Sequence, residues 1–141
     1  MSGNEDLTRF FTAQETQYAV ALAEITKGKK RSHWMWYIFP QIKGLGFSEI
    51  AHFYGIMDIQ EAKEYLAHPV LGKRLIQISQ VLLGLDSNNA NSIFGSPDDL
   101  KLKSCMTLFA SVSSESVFQQ VLDKFFGGVK DAKTLQLIDK S

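Results

Sequence analysis

Apolar residues recur at intervals of three and four along most of this 141-residue chain. Such spacing puts side chains on one face of an α-helix and predicts helices that bury that face. The first helix is predicted over residues 6–27, with Asp6 as its N-cap and Gly28 just after its end. Its apolar stripe comprises Leu7, Phe10, Phe11, Tyr18, Leu22 and Ile25. A stripe of this width must pack against other parts of the chain.

Capping residues predict where the next two helices begin. Ser48 starts a short helix within residues 47–55. Asp58 and Glu61 have the spacing of a capping box, which opens a further helix. That helix is predicted to end at His68, because the proline that follows disfavours the helical conformation in the residue before it.

A helix with heptad-like spacing comes next. Pro69 suits its first turn, since a proline there loses no helical hydrogen bond. Its apolar residues repeat at four, three, four and three, as Leu71, Leu75, Ile78, Leu82 and Leu85. This regular stripe predicts a helix through the middle of the core. The polar run that follows, residues 86–92, is predicted to be a loop or a weak helical turn.

Three more helices are predicted in the last third of the chain. Ser96 has the features of an N-cap, because a proline and then acidic residues follow it, and its helix extends to about Val112. The next helix starts near Ser114 and ends at the glycine pair 127–128. A final short helix covers residues 131–138.

The pattern as a whole predicts an all-α fold, a compact bundle of about six or seven helices. No long window alternates strictly between apolar and polar residues, and the hairpin pairs Asn-Gly and Asp-Gly are absent. The one exception that the pattern allows is a short extended piece at residues 34–38. The chain is predicted to form a single domain over residues 1–141, with residues 1–5 as a flexible tail. The residues predicted to be buried are Leu71, Leu75, Ile78, Leu82, Phe109, Phe118 and Leu122.

Charge and composition argue against several classes of function. The 15 basic and 15 acidic residues cancel, so the chain lacks the field that draws proteins to nucleic acid or to anionic membranes. Nucleic-acid binding is therefore disfavoured, and no apolar run approaches the roughly 20 residues that span a bilayer. Cys105 is the only cysteine and has no partner for a disulfide. With no signal-peptide pattern at the N-terminus, a cytoplasmic location is expected.

Residues 29–49, KKRSHWMWYIFPQIKGLGFSE, combine cations, aromatic rings and glycines in one turn-rich segment. Indole faces beside positive charge suit a planar anionic ligand such as a nucleotide or a nucleotide-sugar. The residues of this segment predicted to bind it are Arg31, Ser32, Trp34 and Trp36. His33 is the candidate for acid–base catalysis near neutral pH. The alternative is that the rings anchor the core; one indole is expected to do so, and the other to meet solvent or ligand beside His33 and Arg31.

A polar stripe on the helix that ends near Val112 offers the opposite wall of a pocket. Its members are Lys103, Ser104, Thr107 and Ser111. In this hypothesis Ser104 and Thr107 contact the ligand, while Lys103 and Arg74 neutralise its charge, Arg74 from the first turns of its own helix. The alternative is that the lysines are solvated and the hydroxyl groups bond to carbonyls one turn back, with the glycine near Arg74 serving close helix packing.

No metal and no organic cofactor is expected. His33, His52 and His68 show none of the spacings with which histidine and cysteine bind zinc. His68 is predicted to cap the helix that Pro69 opens, and His52 to lie on a helix surface. Cys105 is expected to be a core residue.

Several motifs along the chain are those of a known family. They are SHWMW at residues 32–36, FPQ at 39–41, GLG at 44–46, FFGG at 125–128 and the D-x-x-T-L of Asp131, Thr134 and Leu135. Through these motifs nearly the whole chain resembles the bacterial and fungal family called domain of unknown function 1810. The resemblance implies a compact, mostly helical single domain and supplies no reaction. Cys105 stands where the family pattern leads us to expect serine, which argues against an essential nucleophile there.

Two classes of function follow from these residues. One is a domain that binds a small anionic planar ligand in a pocket of the SHWMW segment and, as an enzyme, hydrolyses it or transfers a group from it. The other is a non-enzymatic interaction module that docks a protein partner through the same segment. A concave cleft beside the tryptophans favours the ligand, whereas a flat exposed patch favours the partner.

Overall fold

One long helix and eight shorter ones make up the computed structural model, which describes residues 3–140 and the side chains from residue 7 onward. Their bounds are α1 Gly3–Thr26, α2 Met35–Ile38, α3 Glu49–Tyr54, α4 Ile59–Ala67, α5 Leu71–Leu83, α6 Ala90–Phe94, α7 Asp98–Val112, α8 Ser116–Phe126 and α9 Ala132–Asp139. Over the described residues β-structure is limited to one isolated bridge, between Ile42 and Ile56. The all-α prediction is confirmed, with nine helices in this part of the chain instead of six or seven. No helix within residues 3–140 is long and apolar enough to cross a membrane.

Helix α2 is an element that the sequence pattern did not predict. The extended piece that the pattern allows at residues 34–38 is not found, because Ile38 donates its N–H to the Trp34 carbonyl at 3.1 Å and Phe39 donates to that of Met35 at 3.1 Å. One helical turn puts Met35 and Ile38 on the same side, where both are buried. The turn therefore gives the segment an inner face despite its short length.

Helix α6 begins inside residues 86–92, the stretch predicted to be a loop or a weak helical turn, and continues to Phe94. Asn89 caps it, since its side chain accepts a 3.2 Å hydrogen bond from the N–H of Ser92. Ile93 and Phe94 at its end are buried. Capping and burial of two apolar residues stabilise a helix too short to show periodicity in the sequence.

Two of the predicted N-caps are confirmed. The Ser48 hydroxyl accepts from the main-chain N–H three residues later at 3.2 Å, and the Asp58 carboxylate does the same at 2.9 Å. The second half of the capping box differs from the prediction. Glu61 accepts from the N–H of Met57, one residue before the cap, at 2.9 Å.

The start of α1 differs from the prediction. Asp6 lies inside the helix, which begins at Gly3, so it is not the N-cap. The tail predicted over residues 1–5 overlaps this helix from Gly3 onward, and residues 1, 2 and 141 lie outside the described residues. At the other end Gly28 has the positive φ of 75° expected after a helix C-terminus.

The start of α7 also differs. Ser96 is not its N-cap, because the helix begins at Asp98 and no side chain caps it. The main chain fills the role instead: the N–H of Asp99 donates to the Gly95 carbonyl at 2.9 Å. The predicted end at Val112 is confirmed.

Helices α5 and α7 form the centre of the core. Helix α5 packs against α1, α4 and α8, and α7 packs against α4, α6, α8 and α9. The Phe109 ring of α7 lies 5.5 Å from that of Tyr65 and 5.8 Å from that of Phe118, between ring centroids. All residues predicted to be buried are buried: Leu71, Leu75, Ile78, Leu82, Phe109, Phe118 and Leu122.

Helices α4 and α5 approach each other closely at Gly72. A Cβ atom added there would lie 2.0 Å from the carbonyl oxygen of Leu66, which is far inside van der Waals contact. Only glycine permits this approach, so the packing interpretation of Gly72 is confirmed.

Candidate functional site

The carboxylate of Glu24, on α1, organises the beginning of the aromatic segment. It accepts hydrogen bonds from the N–H of Arg31 at 2.8 Å, the N–H of Ser32 at 3.0 Å, the Ser32 hydroxyl at 2.5 Å and the indole Nε1 of Trp34 at 2.9 Å. One side chain thereby holds three residues of the loop, Arg31, Ser32 and Trp34. The Ser32 hydroxyl, predicted to bind ligand, is engaged in this network.

The same hydrogen bonds keep Glu24 ionised. Burial alone would raise the pKa of its carboxyl, but donors from Ser32, Arg31 and Trp34 outweigh burial and lower the pKa from 4.5 to about 2. Glu24 was not among the predicted site residues. Its partners lie seven to ten residues further along the chain and beyond the end of α1, where helical spacing carries no information.

Trp34 is the buried anchor among the two tryptophans. Its side chain is fully buried, and its ring lies 6.1 Å from that of Phe39 and 6.5 Å from that of Phe94. Trp36 is only half-buried. The expectation that one indole is buried and the other reaches the surface is confirmed, although the cleft beside Trp36 is lined by neither His33 nor Arg31. Trp34 has no exposed surface to offer a ligand.

The lysines of the basic run hold the loop in place. Lys30 is largely buried; its Nζ lies 2.9 Å from Asp98 Oδ2 of α7 and 5.0 Å from the Trp34 ring centroid. Lys29 donates to the Ser92 carbonyl at 3.2 Å. Lys29 and Lys30 therefore bind to α6 and α7, whereas Arg31 is exposed.

A cleft of about 220 Å³ opens between Trp36, the glycine turn before α3, and the first turns of α7 and α9. The polar and aromatic groups in its wall are Trp36, Gln41, Lys101, Ser104, Asp131 and Lys133. Two of the predicted residues, Trp36 and Ser104, are among them. The cleft lies where the sequence hypothesis places its pocket, between residues 31–46 and α7.

Lys101, one of two lysines in the wall of this cleft, makes two close contacts. Its Nζ lies 3.7 Å from the centroid of the Trp36 ring, a close cation–π contact, and 3.3 Å from Asp98 Oδ1. The other oxygen of Asp98 pairs with Lys30. One carboxylate thus serves two ammonium groups. A planar ligand that stacks on this face of Trp36 must displace the Lys101 ammonium group. An anion that contacts Lys101 directly leaves that group in place over the ring.

The hydroxyl groups of α7 turn inward to the helix. Ser104, Thr107 and Ser111 each donate to the carbonyl four residues earlier, at 3.2, 2.8 and 2.7 Å. Thr107 is fully buried and also accepts from the N–H of Asp131 at 2.9 Å, which ties α9 to α7. These contacts match the alternative given for the stripe. Lys103 is half-buried and does not line the cleft.

Arg74, on α5, lies in the contact between α5 and α1. Its guanidinium is 3.5 Å from Glu15 and 5.1 Å from the centroid of the Tyr18 ring. Burial raises the pKa of Tyr18 to about 12, against the opposing effect of Arg74. The wall of the Trp36 cleft does not include Arg74.

The histidines occupy three different environments. His68 Nδ1 accepts from the N–H groups of Val70 and Leu71 at 3.1 and 3.2 Å, so the predicted cap is confirmed. His52 is exposed on α3, also as predicted. His33 is exposed and is absent from the wall of the cleft. Among the described residues no group of three or more His, Cys, Asp and Glu side chains has an arrangement that could hold a metal ion.

The sequence hypothesis omitted four polar residues of the cleft wall, Gln41, Lys101, Asp131 and Lys133. Solvated lysines are the alternative given for this helix, and the signal that distinguishes Lys101 is Asp98, three residues earlier on the same helix. Lys133 lies on α9, far along the chain, and only the tertiary contact of α9 with α7 brings it to the site.

The chain is similar to one protein of known structure over almost its whole length. That protein is the conserved hypothetical protein Rv1873 from Mycobacterium tuberculosis, which shares 43% sequence identity and a TM-score of 0.93 over 95% of this chain and 96% of that chain. No curated protein matches the sequence. Residues 4–138 match the family described as "Protein of unknown function (DUF1810)". The chain therefore belongs to this family.

Proposed function

We propose that the protein binds a small anionic ligand, a phosphorylated or carboxylated metabolite of mononucleotide size or smaller, in the cleft beside Trp36. The observation that carries the proposal is the Lys101 ammonium group, held 3.7 Å above the Trp36 ring at the wall of an open cleft. Hydrogen bonds between an ammonium group and an anion are about twice as strong as those between neutral groups.

The charge balance around the cleft supports an anion. Lys30, Lys101 and Lys133 bring three ammonium groups, and Asp98 and Asp131 bring two carboxylates. Three ammonium groups against two carboxylates leave a net positive charge, and no ion pair joins Lys133 to another described residue. An anion in the cleft balances this net charge.

The size and polarity of the cleft limit the ligand. Its volume of about 220 Å³ is below the range of about 300–1,000 Å³ usual for drug-sized ligands. A phosphate with a small organic part fits this space, whereas a nucleotide-sugar must extend beyond it. Gln41 adds an amide that can donate and accept, and Leu45 and Leu100 give the cleft apolar sides.

The proposal is confined to binding. His33, the predicted acid–base residue, does not line the cleft. The carboxylate of Asp131 already accepts from the N–H and hydroxyl of Thr134 at 2.9 and 2.6 Å. The groups that face the cleft therefore favour holding an anion over transferring a proton.

A thermal-shift and binding screen tests the proposal. The probes are inorganic phosphate, purine and pyrimidine mononucleotides, sugar phosphates, small dicarboxylates and one nucleotide-sugar. A ligand present at a hundred times its dissociation constant adds about 2.7 kcal/mol to the free energy of unfolding. The half-exposed indole of Trp36 supplies a second readout, since its fluorescence should change on binding.

Matched variants assign the binding to the cleft. Lys101→Met retains most of the side-chain stem over Trp36 but removes the charge, and we expect a loss of affinity of about tenfold or more. Lys130→Met, at an exposed position outside the cleft, should bind like the wild type. The proposal is wrong if none of the probes binds, or if both variants bind equally well.

A further inference from the structure

The segment around α3 carries four of the eight exposed large apolar side chains among the described residues. Phe47 is 88% exposed, Phe53 58%, Met57 55% and Ile50 42%. These four residues, here called the α3 patch, lie within eleven positions of the sequence. Monomeric proteins seldom leave two phenylalanines so open without a role for them.

Helix α3 exposes this patch because its inner face is already in use. Ala51 is buried, and Tyr54 is half-buried against the rings of Phe10 and Tyr37 at 6.0 and 5.2 Å between centroids. Ile50 and Phe53 are three residues apart and therefore share the outer side of the helix. This outer side faces away from the core, so both side chains are exposed.

Charges of opposite sign mark the two ends of the patch. Glu49 is the first residue of α3 and is exposed. Lys43 lies at the opposite end: its N–H donates to the Ile56 carbonyl at 2.7 Å, and a Cβ on Gly55 would touch its Cα at 2.9 Å. Lys43 lines a groove with Phe53 and Met57. No ion pair within the described residues uses Glu49 or Lys43.

We propose that the α3 patch binds a second copy of this chain. A two-fold axis through the middle of α3 sets the helices of the two copies antiparallel, with Phe53 and Ile50 of each copy against the other. The same operation brings Glu49 of one copy to Lys43 of its partner, twice. A patch with Glu49 at one end, Lys43 at the other and Ile50 and Phe53 between them is complementary to itself under this symmetry. The Arg9–Glu61 ion pair in the same groove is neutral as a whole and leaves the end charges unchanged.

The area of the patch predicts a weak dimer. An aromatic side chain offers roughly 150–250 Å², so the exposed parts of Phe47 and Phe53 amount to about 300 Å² per copy. With Ile50, Met57 and the flanking charges of both copies, the buried total is on the order of 1,000 Å². This is near the lower limit for a specific interface, so association should depend on protein concentration in the micromolar to millimolar range.

Sedimentation equilibrium over roughly 10 µM to 1 mM protein measures the association. The wild type should rise from the monomer mass of 15.8 kDa towards twice that value. Phe53→Asp should stay monomeric, whereas Val129→Asp, which alters an equally exposed apolar residue outside the patch, should associate like the wild type. A wild type that stays monomeric throughout, or a Phe53→Asp variant that still dimerises, overturns the proposal and leaves the patch to a different partner.

Charge reversal tests the two-fold arrangement separately. Lys43→Glu and Glu49→Lys each turn both interchain pairs from attraction to repulsion, and each should weaken the dimer by about tenfold. An equimolar mixture of the two variants should form a heterodimer in which both pairs are attractive again, and the double variant should recover wild-type affinity. If the mixture associates no better than its components, the antiparallel two-fold pairing is wrong. Lys130→Glu, outside the patch, is the control.

Discussion

Glu24 and Trp34 are joined by a 2.9 Å hydrogen bond from the indole Nε1 to the carboxylate, which links the end of α1 to a fully buried ring of the loop. Replacing Glu24 by alanine leaves that indole N–H, together with the donors of Arg31 and Ser32, without an acceptor. Since hydrogen bonds to a charged group contribute about 1.5–3 kcal/mol each, the free energy of unfolding should fall by at least about 2 kcal/mol. Urea denaturation measures the loss. Glu115→Ala, at an exposed position whose side chain caps nothing, should change it by less than about 0.5 kcal/mol.

Acid should weaken the same contact. The pKa of Glu24 is about 2 in the folded protein against 4.5 ordinarily, so the unfolded chain binds a proton first as the pH falls. The stability that Glu24 contributes is fully present above pH 4.5 and is lost between pH 4.5 and 2. The difference in unfolding free energy between wild type and Glu24→Gln should therefore shrink across that interval. A difference that is constant from pH 6 to pH 2 would contradict the assignment.

The two tryptophans should respond differently to truncation. Trp34→Ala removes a fully buried ring and should cost about 3–5 kcal/mol, enough to unfold much of a marginally stable domain. Trp36→Ala removes a half-buried ring and its contact with Lys101, so the cost should be nearer 1 kcal/mol. Thermal melts of both variants give the comparison. Equal losses would mean that Trp36 contributes to the core as much as Trp34.

Gly72 provides a test of helix packing. Gly72→Ala places a Cβ 2.0 Å from a main-chain oxygen of α4, which cannot move without moving the helix, so the variant should lose at least about 1–3 kcal/mol. Gly84→Ala is the matched control, since its Cβ would lie 3.5 Å from the nearest atom and its φ is −84°. That variant should be unchanged or slightly more stable. Denaturation midpoints of the pair separate steric overlap from the general effect of replacing glycine.

Cys105 should be inert in the folded protein. The side chain is fully buried, and burial raises the pKa of its thiol well above the usual value, so the reactive thiolate is scarce at neutral pH. A thiol reagent should label it slowly in buffer and rapidly in urea. Fast labelling without unfolding would mean that the thiol is accessible.

The sequence predicts the long helices because the information that specifies them is local. The leucine stripe of α5 and the caps at Ser48 and Asp58 all act within a few residues, and the structure confirms them. Helices α2 and α6 are only four and five residues long, so each shows about one turn of periodicity. Their stability comes from burial in a core that the rest of the chain must form first.

The site depends on contacts that sequence spacing does not encode. Lys30 meets Asp98 across 68 positions, and Lys133 reaches the cleft only through the packing of α9 on α7. Trp36 and Ser104 both line the cleft, since they belong to the two segments that the sequence hypothesis sets against each other. The sequence does not indicate that the Thr107 hydroxyl is hydrogen-bonded within α7. Hydroxyl groups that line a pocket and hydroxyl groups that bond to carbonyls of their own helix give the same sequence pattern.

Asp98 stands between two lysines that belong to different parts of the chain, with one oxygen toward Lys30 and the other toward Lys101. The loop before Trp34 and the surface of Trp36 are therefore coupled through a single carboxylate. A change that neutralises Lys101, such as acetylation of its amine, removes its ion pair with Asp98. Asp98 keeps its ion pair with Lys30, and this pair should then hold the loop more strongly. Amide hydrogen exchange in residues 30–34 should slow as a result, at a distance from the modified side chain.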